Sequence, residues 1–598
     1  MPIPGVQSLR LLKTLGWVLE KLQVCCTTHD YCEDTSLSRL PSRAIDVSYA
    51  PDRVRIIATN GASGRYITLS HCWGDPSLIN TMLTNHNLEE YTNNGIPLKQ
   101  FPPTFRDAIE LTRSLGITYL WIDSLCIIQA DPDNDMESHT KTVREDWERE
   151  SASMCAVFAG SYLTLGAATS TDCRGGLWAP AASVVELEGT MPDGTRYSLY
   201  AQKRYPHRED DLPLFSRGWV FQETLLSPRT LVFLGREAMW RCRESFSCQC
   251  QFTAIEYSRQ RDQLDYYEHE LSTFFKLPPR ETKCEAVVRS GQLPVWAKWH
   301  VLVLAYARRT RLTYLGDKFA AIEGLAEYFR YWRQDERYCG GIWSGSFAKD
   351  LLWRAHSYHY DRLRVRPDSI KSQWSSEKWL FPTWSWASLC FKNPTECPPA
   401  FGYATFGEYL EDLEVSRYPS LDLYCPDSGF LVEPIGEPLG QPRIADGQKL
   451  QPSTEQRRHY ELHIKGVLVS IGWQQLLTME KCVWNDAMDY RPGPFFLFDY
   501  GWPRFAGWLE EEYPTGPTER TFFCLRMMKY IGHKGHFLAL VLRCVDEAKE
   551  IYERVGVLAQ WYRLEESQTE EVKKDWIPEW WHEAGTESEP EPRVITLV

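Results

Sequence analysis

Two short stretches deliver reactive side chains directly after runs of strand-forming residues. After YITL come Ser70, His71, Cys72, Trp73 and Gly74, and after ITYLWI come Asp123 and Ser124. Together these turns offer hydroxyls, an imidazole, an indole wall, a carboxylate and, at Gly74, a backbone that a ligand can approach closely. In an open parallel sheet, ligands bind outside the carboxyl ends of the strands, where helix N-termini point partial positive charge into the crevice. A further carboxylate, Glu150, lies three residues after Trp147 and four before Met154, on the border of an apolar helical stripe. In that position it must pair with a cation, face a ligand or reach water. Its neighbours Glu145, Asp146 and Glu148 read as a solvated acidic face. Each candidate also has a purely structural role to fill. Ser70 and His71 can satisfy local backbone groups, Trp73 can fill the core and Asp123 can cap the next turn.

Cys126, with His71 as base and Asp123 as orienter, supplies the residue types of a covalent hydrolase or another acid–base enzyme of small-molecule metabolism. It sits among apolar neighbours in SLCIIQ, however, where burial raises a thiol's pKa and makes it inert. Cys25, Cys26, His29 and Cys32, and separately Cys242, Cys248 and Cys250, are zinc-type residues without the paired CxxC spacing of strong zinc signals. The expectation is packed thiols and no metal. No P-loop, no GxGxxG after a strand, no HExxH and no GxSxG occurs, so phosphoryl transfer, Rossmann redox chemistry and serine-hydrolase action have no motif behind them.

The elements that must hold these groups follow from periodicity. In PPTFRDAIELTRSLG the residues Phe105, Ala108, Ile109, Thr112 and Leu115 recur every three or four positions, with Pro103 in the first turn and Gly116 placed as the residue just past the end. ITYLWID, an apolar run without polar alternation, reads as a strand covered on both faces. Strand, crossover, helix and strand make a βαβ unit, followed by a helix carrying Trp147, Ser151, Met154 and Phe158, and by a buried strand in SYLTLGAAT. Residues 61–178 therefore read as a small α/β layer domain, preceded by a helix, a Cys/His-containing turn and an edge strand in DRVRIIAT over residues 1–60. The stretch around RYPHREDDLP reads as an insertion or linker. From residue 231 to 565 the pattern is α+β and Trp-rich, with helix in DKFAAIEGLAEYFRYWR and short strands in PTWSWASL and ELHIKGVLVSIG; residues 566–598 read as an acidic, mobile tail.

Composition narrows the class of function. A chain of 598 residues with 43% hydrophobic and 24% charged residues is long enough for more than one packed core. Its formal net charge of −14 repels phosphate backbones, which argues against a nucleic-acid reader. No run of eighteen apolar residues occurs, so no membrane span is expected. The 18 cysteines have no small-domain disulfide spacing and suit a reducing cytoplasmic compartment, and the opening MPIPGVQSLRLLKTLGWVLEKLQVCC reads as an amphipathic helix rather than a secretory leader.

The ordered segments YITLSHCWG (66–74), PPTFRDAIELTRSLGITYLWIDSLCIIQ (102–129), the Trp147/Glu150/Met154 helix and RGWVFQETLLSPR (217–229) resemble the fungal heterokaryon-incompatibility (HET) domain family. The resemblance covers residues 61–230: an α/β core over 61–178 plus the RGWVFQE extension. Looser echoes lie in CCTTHDYC, DKFAAIEGLA, GGIWSGSFAKDLLW and PTWSWAS, and FAGS at 158–161 departs from the family's usual Tyr and Asn-Ala. The resemblance implies a TIR-like parallel-sheet fold and a role in non-self recognition and regulated cell death, through self-association or a protein partner. Because TIR-like domains include enzymes that cleave NAD between nicotinamide and ribose, it also implies NAD as a candidate substrate with no resident cofactor. A nucleotide would then take Glu150 and Asp123 as the catalytic carboxylates. Ser70, His71, Trp73, Gly74, Ser124 and Arg217 would bind it. A shared fold does not carry chemistry with it, so a non-catalytic signalling module stands beside the enzyme.

Overall fold

The computed structural model describes residues 6–30, 32, 38–75, 79, 81–130, 137–178, 185–201, 212–235, 237–250, 295–308, 312, 315–355, 384–388, 401–403, 433–434, 462–472, 495–498, 521–530, 534–563 and 591–597. The chain divides into two units, Met1–Val287 with Arg309–Phe329, and Val288–Arg308 with Arg330–Val598.

In the first unit the strands are, in chain order, β1 (Arg43–Ala50), β2 (Arg53–Ala58), β3 (Tyr66–Ser70), β4 (Ile96–Pro97), β5 (Tyr119–Trp121), β6 (Leu163–Ala167), β7 (Val185–Thr190), β8 (Arg196–Ala201), β9 (Arg229–Phe233), β10 (Ala238–Cys242) and β11 (Phe246–Cys248). The helices are α1 (Val6–Thr28), α2 (Leu88–Asn93), α3 (Pro103–Ser114), α4 (Asp123–Cys126), α5 (Glu137–Ala159) and α6 (Gly218–Leu226). Nine of these strands form one mixed sheet in the order β11-β10-β9-β6-β3-β5-β1-β2-β4, while β7 and β8 pair as a separate hairpin. The four central strands are parallel: β3 runs alongside β5 and β6, and β6 alongside β9. Antiparallel partners close each side, β1 against β5 and β10 against β9.

The sequence reasons for this core are direct. Every residue of β3, β6 and β9 is buried, as expected for parallel strands covered on both faces. Thr68 and Thr164 sit within these strands because their hydroxyls meet each other at 2.7 Å, and Thr164 also meets Ser227 at 2.7 Å. Helix α3 buries Phe105, Ala108, Ile109 and Thr112; Pro103 lies at its start, and Gly116 takes φ +71° one residue past its C-cap.

Three expectations are revised. The RVRIIA strand, β2, is flanked by β1 and β4 rather than lying at the edge, and the limits at 61 and 178 fall inside one continuous sheet, because β1, β2 and β9 to β11 pair into it. Asp146 is buried, not part of a solvated face, because it accepts hydrogen bonds from Arg43 Nη2 and from the Ile128 N–H. Residues 202–211, in the expected linker, lie outside the described residues.

The second unit contains a short hairpin, β12 (Tyr338–Cys339) with β13 (Ile342–Trp343), and a separate antiparallel strand pair, β14 (Trp353–Ala355) with β15 (Phe401–Tyr403). It also contains a larger sheet of β16 (Glu433–Pro434), β17 (Leu462–Gly466), β18 (Leu468–Gly472), β19 (Phe495–Phe498), β20 (Thr521–Tyr530), β21 (Lys534–Asp546), β22 (Ile551–Arg563) and β23 (Arg593–Leu597). Buried Trp299, Trp343, Trp353, Trp384 and Trp386 fill its interior. ELHIKGVLVSIG forms β17 and β18 as read. PTWSWASL does not form a strand over its described part: Trp386–Ser388 is a 3-10 turn, with the Trp386 indole N–H donated to the Gly341 carbonyl at 3.1 Å. The end of the chain is also revised, because Arg593–Leu597 pairs with β17 and buries Ile595 and Leu597, although residues 564–590 lie outside the described residues. Among the described residues, no helix is long and apolar enough to cross a membrane.

Candidate functional site

Strand β3 ends on Ser70, β5 runs through Ile122 into α4 at Asp123, and Arg217 is the N-cap of α6. These three ends converge. Trp73 Nε1 donates to Asp123 Oδ2 at 2.7 Å, and Arg217 Nη1 donates to the His71 carbonyl. Ser70 Oγ donates to Glu223 Oε2, a carboxylate one and a half turns into α6. The set therefore gathers Ser70, His71, Trp73, Asp123 and Arg217, all anticipated from the sequence, around Glu223, which was not. Glu223 lies in RGWVFQETLLSPR, where its five-residue spacing from Gly218 gives no periodic signal. A lone acidic residue in a largely apolar helical stretch was the available hint.

Electrostatics set the protonation states. Burial pushes the Glu223 carboxyl up to about 7, although the Ser70 hydroxyl and Arg217 favour its charged form; the nearby Asp123 charge adds to the rise. His71 is wholly enclosed, and burial drives its imidazole down to about 4, so the ring is neutral at physiological pH. Its ring packs edge-on against Phe105, with centroids 5.0 Å apart, and its Nδ1 stands 3.9 Å from Asp123 Oδ1. Neither nitrogen of His71, nor the Ser124 hydroxyl, has a hydrogen-bond partner among the described residues. Since buried polar atoms are nearly always satisfied, these groups mark a place where a ligand, a water or a small shift of Asp123 completes the bonding. Asp123 also accepts from the Ser124 N–H at 2.7 Å, a local bond at the start of α4, whose N-cap position is held by Ile122.

Gly74 is held at φ +67°, and a Cβ there would collide with Asp172. A side chain is thus excluded by both backbone and space. Beside Glu223 on α6, a Cβ at Gly324 would strike Gln222 Oε1 and, on α5, Cys155. The glycine of DKFAAIEGLA therefore lets the helix Ala320–Arg330 lie directly against α5 and α6, bracing the element that carries Glu223.

Glu150 is placed differently. Its carboxylate accepts from Ser42 Oγ at 2.6 Å and from Arg149 Nε at 3.2 Å, and lies 3.7 Å from Arg43 Nη2. None of these partners belongs to the set around Asp123; with Asp146 they form an ion cluster between α5 and β1. Cys126 is fully enclosed and its thiol is pushed up to about 12 by burial, which leaves almost no thiolate for nucleophilic attack.

The first unit is thus a mixed α/β domain whose parallel strands deliver a charged, partly unsatisfied cluster at their carboxyl ends. Residues 66–223 match the family model described as Heterokaryon incompatibility protein (HET), from the first residue of β3 to Glu223 itself. The chain carries a HET domain. No curated protein and no solved structure matches it.

Proposed function

We propose that the HET domain is the effector of a non-self recognition system that ends in regulated cell death. We further propose that its Ser70/Asp123/Glu223 cluster hydrolyses NAD at the nicotinamide–ribose bond, as its TIR-like resemblance implies. The observation that carries the chemistry is Glu223: a buried carboxyl poised near neutrality, bonded to Ser70 and close to Arg217 and Asp123. Such a group takes up and releases a proton at physiological pH.

In this reading NAD and water give nicotinamide, ADP-ribose and a proton. The electron pair of the C1′–N bond leaves with the pyridinium ring, which departs neutral and needs no acid. The oxocarbenium-like sugar is stabilised by a carboxylate, and Glu223 accepts the proton of the attacking water. Trp73, fixed through its indole N–H by Asp123, supplies a flat wall for a ring, and Arg217 supplies positive charge for the phosphates. The catalytic role first given to Glu150 passes to Glu223, because the Glu150 oxygens are already spent on Ser42, Arg43 and Arg149.

The test is nicotinamide release from NAD by the purified full chain. Glu223→Gln is expected to lower the rate by about 100-fold or more, and Glu150→Gln to keep it within a few-fold. Equal losses in both variants would return Glu150 to the mechanism. Growth arrest on expression with cellular NAD intact would instead make the domain a non-catalytic signalling module acting through self-association or a protein partner.

A further inference from the structure

Four soft donors that the sequence keeps apart meet at one point of the first unit. Cys25 lies in the last turn of α1, His29 and Cys32 follow within seven residues, and Cys242 closes β10, more than two hundred residues later. Their Sγ and ring nitrogen atoms all lie within 4.8 Å of one another. His29 Nδ1 stands 3.4 Å from Cys32 Sγ and 3.4 Å from Cys242 Sγ. A tetrahedral zinc ion with bonds of about 2.3 Å to sulfur and about 2.0 Å to nitrogen sets its S···N edges at about 3.5 Å and its S···S edges at about 3.8 Å. The observed spacing is that of a four-ligand shell around a single ion, and it is too tight to enclose an iron–sulfur cluster.

Packed thiols, the expectation from spacing alone, account for less of what surrounds these atoms. All three cysteines are free and buried, so no disulfide explains their approach. An imidazole nitrogen stands close to two of the sulfurs, which a purely apolar cluster does not need. Hydrogen-bond donors are aimed at the sulfurs. Arg229 Nε donates to Cys25 Sγ at 3.2 Å, and the Ser245 N–H, in the turn between β10 and β11, donates to Cys242 Sγ at 3.2 Å. Donors around the sulfur are the outer shell that metal-bound thiolates take. The charges also balance. Three thiolates, a neutral imidazole and Zn²⁺ sum to −1, and the fully buried guanidinium of Arg229 contributes +1 against Cys25.

We propose that Cys25, His29 through Nδ1, Cys32 and Cys242 hold one zinc ion in a closed tetrahedral site that fastens the end of α1 to strand β10. Three thiolates and an imidazole select zinc over the oxygen-seeking cations, and four protein ligands leave no position open for substrate, so the ion is structural. Cys26, the immediate neighbour of Cys25, is exposed and stays out of the site, with its Sγ 3.8 Å from the Tyr162 hydroxyl.

The experiment is metal analysis of the full chain, expressed with zinc in the medium and purified without chelator. About one zinc per chain is expected, with an X-ray absorption edge fitted by three sulfurs and one nitrogen. Cobalt substitution is expected to give the visible bands of a tetrahedral thiolate-rich site. Cys242→Ser and His29→Ala are expected to lose the metal, whereas Cys26→Ser and Cys250→Ser keep it. Should Cys242→Ser fail to fold, the absorption edge of the unmutated protein decides the ligand set. Three results would each overturn the site: a chain free of zinc with no cobalt spectrum, a disulfide among these cysteines, or zinc retained in Cys242→Ser and lost in Cys248→Ser. The last would move the ion to the neighbouring Glu237/Cys248/Cys250 group.

Discussion

Replacing Glu223 with glutamine tests both the electrostatics and the role of the site. Burial raises this carboxyl from its ordinary value of 4.5 to about 7, a gap of about 2.5 pH units, and at about 1.4 kcal/mol per unit the ionised form costs the fold about 3 kcal/mol. The sign follows from proton counting. Between pH 4.5 and about 7 the folded chain holds a proton that the unfolded chain has released, so stability falls as pH rises through this window and is level above it. Glutamine has the same shape, can still accept from Ser70 Oγ and never ionises. Glu223→Gln is therefore expected to match the unmutated protein near pH 4.5 and to exceed it by about 3 kcal/mol at pH 8. The assay is thermal unfolding of both chains across pH 4.5–8.5, followed in the transition of the first unit. Taking the difference between the two chains cancels every other titrating group. The apparent Tm difference should open by on the order of 5 °C with rising pH, while nicotinamide release is lost. Gaining stability while losing activity is the mark of a residue kept for function against the interest of the fold. Curves that stay parallel from pH 4.5 to 8.5 would refute the reasoning.

Three further outcomes can be checked. Gly74→Ala should destabilise by about 2–3 kcal/mol in urea unfolding, because both the positive φ and Asp172 oppose a Cβ; Gly116→Ala, with similar φ and nothing within 4 Å, should cost only about 1 kcal/mol. Arg43→Met should cost about 3 kcal/mol or more by leaving Asp146 and Glu150 buried without their interior cation, and adding Asp146→Asn should restore part of it. Cys126→Ser should leave nicotinamide release unchanged, and in the native chain Cys126 should resist iodoacetamide at pH 8 while exposed Cys26 reacts, since burial holds the Cys126 thiol at about 12.

Much of the local structure was legible because it depends on neighbours in the chain. The period of α3, its proline start and its glycine stop are properties of a dozen consecutive residues. The wholly buried β3 and β6 follow from short runs of strand-forming residues that carry no charge. The two strand ends holding Ser70 and Asp123 were legible for the same reason. The burial of Asp146 was not, since it depends on Arg43, 103 residues away. Nor was the strand at Arg593–Leu597, whose register is set by a partner at Leu462–Gly466.

The amino-acid sequence by itself determined the α/β character of the first unit, the turns that carry Ser70, His71, Trp73 and Asp123, and the likeness to HET domains. These rest on hydrophobic period and turn chemistry, which act over a few residues. Only the tertiary structure decided which groups share a space. It gave Ser70 the partner Glu223 across 153 positions, and it engaged Glu150 with Ser42 and Arg43. It also drew Cys242 to His29 across 213 positions. Charge, desolvation and metal coordination depend on distance in space, and sequence separation carries no measure of it.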